Sequence, residues 1–206
     1  MNRGITKGGK WRRSKPILGK LEQLLLRGDG LTTTSLEILT GDLINVTVDS
    51  HWTIAVPSDV PLSTVLQSPD DSHDAEYFLD LSHRHLGVAP GERLLVREVL
   101  LVGPTGAVHG IAEVVARESL LPDAVADALA TTDDPIGRLL RDNGVLVSRE
   151  LTSWGLVPAG PRADRLVGRV RPDDRIAGRS YLMREIATNQ PLAVLIERFG
   201  PHIFAE

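Results

Sequence analysis

The segment that most restricts the fold runs from Leu94 to Ala116. Leu94-Leu95-Val96-Arg97-Glu98-Val99-Leu100-Leu101-Val102 is followed by Gly103-Pro104-Thr105-Gly106, and then by a second apolar run, Ala107 to Ala116. Two such runs joined by a Gly- and Pro-bearing turn predict an antiparallel hairpin. A third run, Pro191-Leu192-Ala193-Val194-Leu195-Ile196-Glu197-Arg198-Phe199, has the same strand character near the C-terminus. Two of these strands carry a charge at mid-run. Alternation places Arg97 on one face with Leu95, Val99 and Leu101, and Glu197 with Ala193, Leu195 and Phe199. Burying an ion costs several kcal/mol unless it is paired or binds a ligand, so Arg97 and Glu197 are expected to meet each other or a charged substrate. A salt bridge within a sheet and a ligand site read alike at this level.

Composition sets the frame. With 206 residues and 42% hydrophobic content, the chain can bury one substantial core, and a single domain over residues 17–206 is expected. No apolar run approaches the roughly 20 residues of a membrane helix, and no apolar segment of secretory length follows the basic start; a cytoplasmic location is expected. Cysteine is absent, which removes disulfides, thiolate catalysis and cysteine-ligated metals. A net charge of −4 argues against nucleic acid as the partner of the folded body. Residues 1–16 nevertheless carry Arg3, Lys7, Lys10, Arg12, Arg13 and Lys15, and read as a solvated, disordered tail; beyond Trp11 there is little aromatic interleaving of the kind a nucleic-acid arm uses.

Elsewhere the pattern alternates between helix and strand. Ile17, Leu18, Leu21, Leu24 and Leu25 mark one face of a helix that Gly28 and Gly30 end, and Leu31 to Leu39 begins another element. Leu43 to Val48 reads as a strand, with Trp52 to Val56 as its continuation, and residues 57–75 read as a surface loop. Pro122 to Ala130 is helical, and Asp134-Pro135 opens a second helical piece capped by Asp133 or Asp134 that stops at Asn143-Gly144. Val145 to Leu151, Arg165 to Val170, Arg179 to Ile186 and Leu192 to Phe199 read as strands, with a last turn at Thr188-Asn189-Gln190. The fold class is therefore α+β, an antiparallel sheet with helices on one face.

Most familiar chemistries find no motif. The Gly103–Gly106 turn lacks the Lys-Ser/Thr of a phosphate loop, and no GxGxxG follows a strand. His83, His85 and Asp80, with His109 on another strand, lack metal-ligand spacing and read as surface histidines, so no metal and no cofactor are expected. Ser148, Ser153 and Ser180 lack a nucleophile elbow. What remains is cationic: Arg149 and Arg179 join Arg97 at strand-like positions, and several arginines with one carboxylate suit a small polyanionic substrate.

Taken in order, these strings resemble the chorismate pyruvate-lyase family, which releases 4-hydroxybenzoate and pyruvate from chorismate. The likeness is carried by Leu24-Leu25-Leu26 with Gly30-Leu31-Thr32, by Leu95 to Leu101, by Asp134-Pro135-Ile136-Gly137-Arg138-Leu139-Leu140, by Ser148-Arg149-Glu150, by Arg179-Ser180-Tyr181 and by Pro191 to Phe199. The basic tail and the 57–75 loop are not obvious family features. The resemblance implies a six-stranded antiparallel sheet with helices against it and a small internal site closed by flaps. It implies that Arg97 grips a ring carboxylate, that Glu197 hydrogen-bonds the oxygen at the opposite end of the ring, that Ile136 and Gly137 lie near the carboxylate, and that Leu31 lines the pocket; Arg149 and Arg179 match by position. It further implies a cofactor-independent, monomeric carbon–oxygen lyase of a biosynthetic pathway, in which Arg97 orients the substrate, a protonated Glu197 assists departure of the side chain, and an apolar site excludes water. Alternatives are a cyclase or isomerase acting on another small acid, and a non-catalytic small-molecule binder. The same fold serves as a ligand-sensing domain in transcription regulators that carry an N-terminal DNA-binding domain; no such domain is expected here.

Overall fold

A computed structural model describes residues 18–28, 32–57 and 82–204. The expected basic tail, nearly all of the 57–75 loop, Asp80 and Leu31 lie outside these residues. Two helices come first, α1 (Lys20–Arg27) and α2 (Thr32–Thr40), then strand β1 (Asn45–Ala55). The hairpin follows as β2 (Arg93–Val102) and β3 (Val108–Arg117), then helices α3 (Asp123–Thr131) and α4 (Ile136–Asp142), and strands β4 (Val147–Pro158), β5 (Arg175–Glu185) and β6 (Pro191–Phe199). The six strands form one sheet in the order β1-β2-β3-β6-β5-β4, antiparallel throughout. The fold is thus α+β with helices on one side.

Period-2 alternation sends two sets of side chains to two different coverings. On the helical face, Leu95, Val114, Tyr181, Met183 and Leu195 pack against Val125 and Leu129 of α3 and Leu139 and Leu140 of α4. Further along the same face, Leu101, Ala177 and Phe199 pack against Leu25 and Leu26 of α1 and Leu36 of α2. The helices therefore come as two pairs, each fixed to the sheet by its own apolar cluster. The other face is closed by non-strand segments: Leu86 and Val88 over Leu94, Val96 and Val194, and Ala163 and Leu166 over Ile111 and Ile176.

Local expectations are met in some places and corrected in others. The continuation expected of the first strand is seen: β1 runs unbroken over Asn45–Ala55, and what the pattern does not give is a slip in its pairing with β2 between Val48 and Ser50. Arg165 to Val170 is not a strand: it follows the 3-10 turn Ala163–Arg165, Leu166 is buried, and Gly168 at φ 98 breaks the extended path. The start of β5 is paired by β4, which runs on to Pro158 opposite Arg175. Helix α4 has Pro135 at its N-cap with no side-chain cap; Asp133 instead accepts a hydrogen bond from the Val48 amide at 2.9 Å. The last turn fits its sequence, with Asn189 at φ 59, a left-handed conformation that asparagine tolerates.

Candidate functional site

Over the helical face of the sheet, between the start of α2 and α4, a cavity of ≈ 550 Å³ opens. Its size falls in the range of about 300–1,000 Å³ common for small-molecule sites. The floor is apolar, from Val99, Leu101, Ala112, Val114 and Leu195, and the walls come from the start of α2, the start of β1, the α3–α4 connection and α4. Both mid-strand charges, Arg97 and Glu197, line it. They do not form the ion pair considered as one reading of the sequence; each is held by other groups.

Arg97 is 1% exposed. Its Nη1 donates to the carbonyl of Asp134 at 2.8 Å and its Nη2 to that of Thr132 at 2.7 Å, while the buried Nε finds no acceptor among the described residues. Backbone carbonyls fix the orientation of a guanidinium without cancelling its charge. Among the described residues no carboxylate lies within salt-bridge distance of it; burial draws its pKa below the ordinary value, opposed by the more distant charges of Asp133 and Asp134. The result is a rigid, desolvated cation at one wall of an apolar cavity.

Glu197, 3% exposed, sits in a different setting. Its Oε1 accepts from Thr32 Oγ1 at 2.6 Å and from the Tyr181 hydroxyl at 3.3 Å, and its Oε2 accepts from Arg179 Nε at 2.6 Å. The same Arg179 donates through Nη1 to the carbonyls of Leu25 and Gly28, and through Nη2 to Thr32 Oγ1 at 2.9 Å. All its nitrogens are committed, and Arg179 is not among the cavity-lining residues. It braces Glu197 from behind and ties the end of α1 to β6. Every described contact of Glu197 donates to it, an arrangement for an acceptor more than for the proton donor expected from the sequence. Burial, then the charge of Glu197, pushes the Tyr181 phenol above its ordinary pKa, so it stands as a neutral donor.

Arg149 also lines the cavity, its guanidinium 5.5 Å from the centroid of the Tyr181 ring. Ile136 and Gly137 line it from α4. The sequence pattern does not assign Thr32, Tyr181, Asp133 or Asp134 to the site, because their places there depend on long-range register: Thr32 reaches Glu197 across 165 positions. The histidines divide. His83 is exposed, but His109 is 5% exposed, not on the surface as expected, and its Nδ1 lies 2.9 Å from His202 Nε2. Burial, then the charge of His109, lowers the pKa of His202.

A second buried charged cluster lies on the opposite face. Glu98 and Glu113 face each other across β2 and β3; Glu98 takes Arg162 at 2.7 Å and Glu113 takes Arg198 at 2.6 Å. None of these four lines the cavity.

No family model and no curated protein matches this chain. Solved structures do resemble it. PhnF from Mycobacterium smegmatis is similar at 13% identity and a TM-score of 0.56, over 85% of this chain and 65% of that one. The effector domain of the same protein is similar at 12% identity and a TM-score of 0.54, over 85% and 91%. A GntR-family transcriptional regulator from Enterococcus faecalis V583 is similar at 10% identity and a TM-score of 0.51, over 78% and 96%. At such identities the likeness is one of fold: the chain has the chorismate lyase-like fold that regulator effector domains also use. Among the described residues no helix is long and apolar enough to cross a membrane.

Proposed function

We propose that the cavity binds a small cyclic carboxylic acid and that the chain acts on chorismate as a pyruvate-lyase. The observation that carries this reading is Arg97: a buried guanidinium, oriented by two carbonyls, that lines an apolar-floored cavity together with Glu197. Such a cation calls for a carboxylate, and the apolar floor suits a ring.

In this reading Arg97 takes the ring carboxylate and Glu197 accepts the hydrogen bond of the hydroxyl at the far end. Chorismate loses its C4 hydrogen and the bond from C3 to the ether oxygen; the ring becomes aromatic, and the departing enolpyruvate takes up a proton to become pyruvate. No electrons are gained or lost overall, so neither an oxidant nor a reductant enters. The chain contributes orientation and exclusion of water, with Val99, Ala112, Val114 and Leu195 forming the dry surface under the ring.

The test is direct. Purified protein with chorismate and no added cofactor should yield 4-hydroxybenzoate and pyruvate in equal amounts. No product above an enzyme-free control overturns the lyase reading. A second reading, a non-catalytic binder, is favoured by the likeness to the PhnF effector domain and the GntR-family regulator. It predicts saturable binding of a small acid with the ligand recovered unchanged.

A further inference from the structure

Resting on that reading of the cavity, we infer that Arg149 recognises a second carboxylate, so that the site selects a dicarboxylate substrate over its monocarboxylate product. Three observations converge. The first is placement. Arg97, Val114, Leu195 and Tyr181 form one cross-strand row; Glu197 stands in the next row, opposite Ala112 and Arg179. Arg149 stands in the row on the other side, opposite Met183, which pairs with Ala193. Its strand is four spacings from β2, about 19 Å at the backbone, yet both side chains line one cavity. Arg97, Glu197 and Arg149 therefore mark three corners and not a line. A para-substituted ring such as 4-hydroxybenzoate has only two polar ends. Chorismate adds an off-axis carboxylate on the ether side chain, and Arg149 supplies the off-axis cation.

The second observation is how the guanidinium is seated. It rests against the Tyr181 ring, whose hydroxyl donates to Glu197, so the ring separates the cation from the carboxylate by a fixed amount. On the other side stands Gly137, where an added Cβ would come within 3.0 Å of Arg149 Nη2. The glycine leaves the space that the guanidinium fills.

The third is contrast with the other cations of the wall. Arg138 and Arg141 on α4 also line the cavity, but their side chains are 60% and 62% exposed. Arg149 is the more sheltered of the three, and shelter is what gives a charged hydrogen bond its selectivity.

The experiment compares the full chain with its Arg149→Gln, Arg149→Lys and Gly137→Ala variants, reading turnover of chorismate and, by calorimetry, the affinity for 4-hydroxybenzoate. Arg149→Gln should lower kcat/KM for chorismate by about tenfold to a hundredfold while shifting 4-hydroxybenzoate affinity by less than about twofold. Arg149→Lys should recover part of the loss, since it returns charge without the planar fork. Gly137→Ala, a favourable change for a helix in itself, should show the same selective loss by pushing the guanidinium aside. Equal weakening toward both ligands, or a wild-type rate in both Arg149→Gln and Gly137→Ala, overturns the assignment and leaves the lyase reading standing. A wild-type protein that neither binds nor converts chorismate overturns that reading, and the second-carboxylate role with it.

Discussion

The two faces of the sheet each carry a charged cluster with a buried Arg–Glu pair, and they differ in what surrounds the remaining charges. Adjacent residues supply both: Arg97-Glu98 on β2 and Glu197-Arg198 on β6 send one charge to each side. On the far side, carboxylates meet guanidinium groups directly, Glu98 with Arg162 and Glu113 with Arg198, and Arg198 Nε donates to the carbonyl of Pro158 at 3.2 Å. On the helical side Glu197 is likewise paired, with Arg179 at 2.6 Å, but among the described residues Arg97 is met by carbonyls alone, and a cavity lies before it. Burial of charge alone therefore does not mark a site. What distinguishes Arg97 is that the carbonyls beside it orient its charge without pairing it.

The sharpest way to break this distinction is on the far face. Glu113→Ala should destabilise the protein by about 3–5 kcal/mol, because Arg198 loses its carboxylate while remaining buried. The double change Glu113→Leu with Arg198→Leu should restore more than half of that in urea titrations, with turnover retained in the folded protein. A Glu113→Ala protein of normal stability and altered ligand preference would invert the roles of the two clusters.

Arg97→Ala is the counterpart, and should remove at least about 100-fold of kcat/KM, roughly 2.7 kcal/mol, with a smaller loss of stability than Glu113→Ala. If it unfolds the protein outright, or leaves turnover intact, the helical-face cluster is structural after all. Thr32→Val comes next. It removes a donor to Glu197 and an acceptor for Arg179, and should cost about 1–2 kcal/mol in denaturant unfolding.

The smallest effect concerns pH. His202 has a folded pKa below the ordinary 6.5 because of burial and the charge of His109; its polar surroundings include His109 and, beyond that ring, Asp42 at 3.8 Å from His109 Nε2. As pH falls below about 6.5, the unfolded chain takes up a proton that folded His202 refuses, so this contribution to stability declines through that window and is flat above it. Unfolding followed from pH 8 to pH 5 should show the slope, and His202→Asn should flatten it.

Much of this was legible from period-2 alternation alone. It placed Arg97 and Glu197 on one face with the right apolar neighbours, and both line the cavity. The same alternation carried Glu98 and Arg198 in the same strings, but their partners Glu113 and Arg162 come from register and from a loop, which pattern cannot supply. Arg179 shows the limit most clearly. Its position suggested a ligand contact, whereas the nearness of the Leu25 and Gly28 carbonyls turned it into a brace behind Glu197. The strand expected at 165–170 failed for a related reason: Leu166 is apolar because it plugs the far face, not because it alternates in a ladder.

The cavity is bounded by α2 and α4, which are anchored through separate apolar clusters, one to each end of the sheet. Under the proposed function, a molecule lodged there would touch both helices, and its thickness is expected to bear on how far apart they stand. For a lyase this means that a bulky substrate and its flatter aromatic product press on the walls differently, so release can be driven by shape.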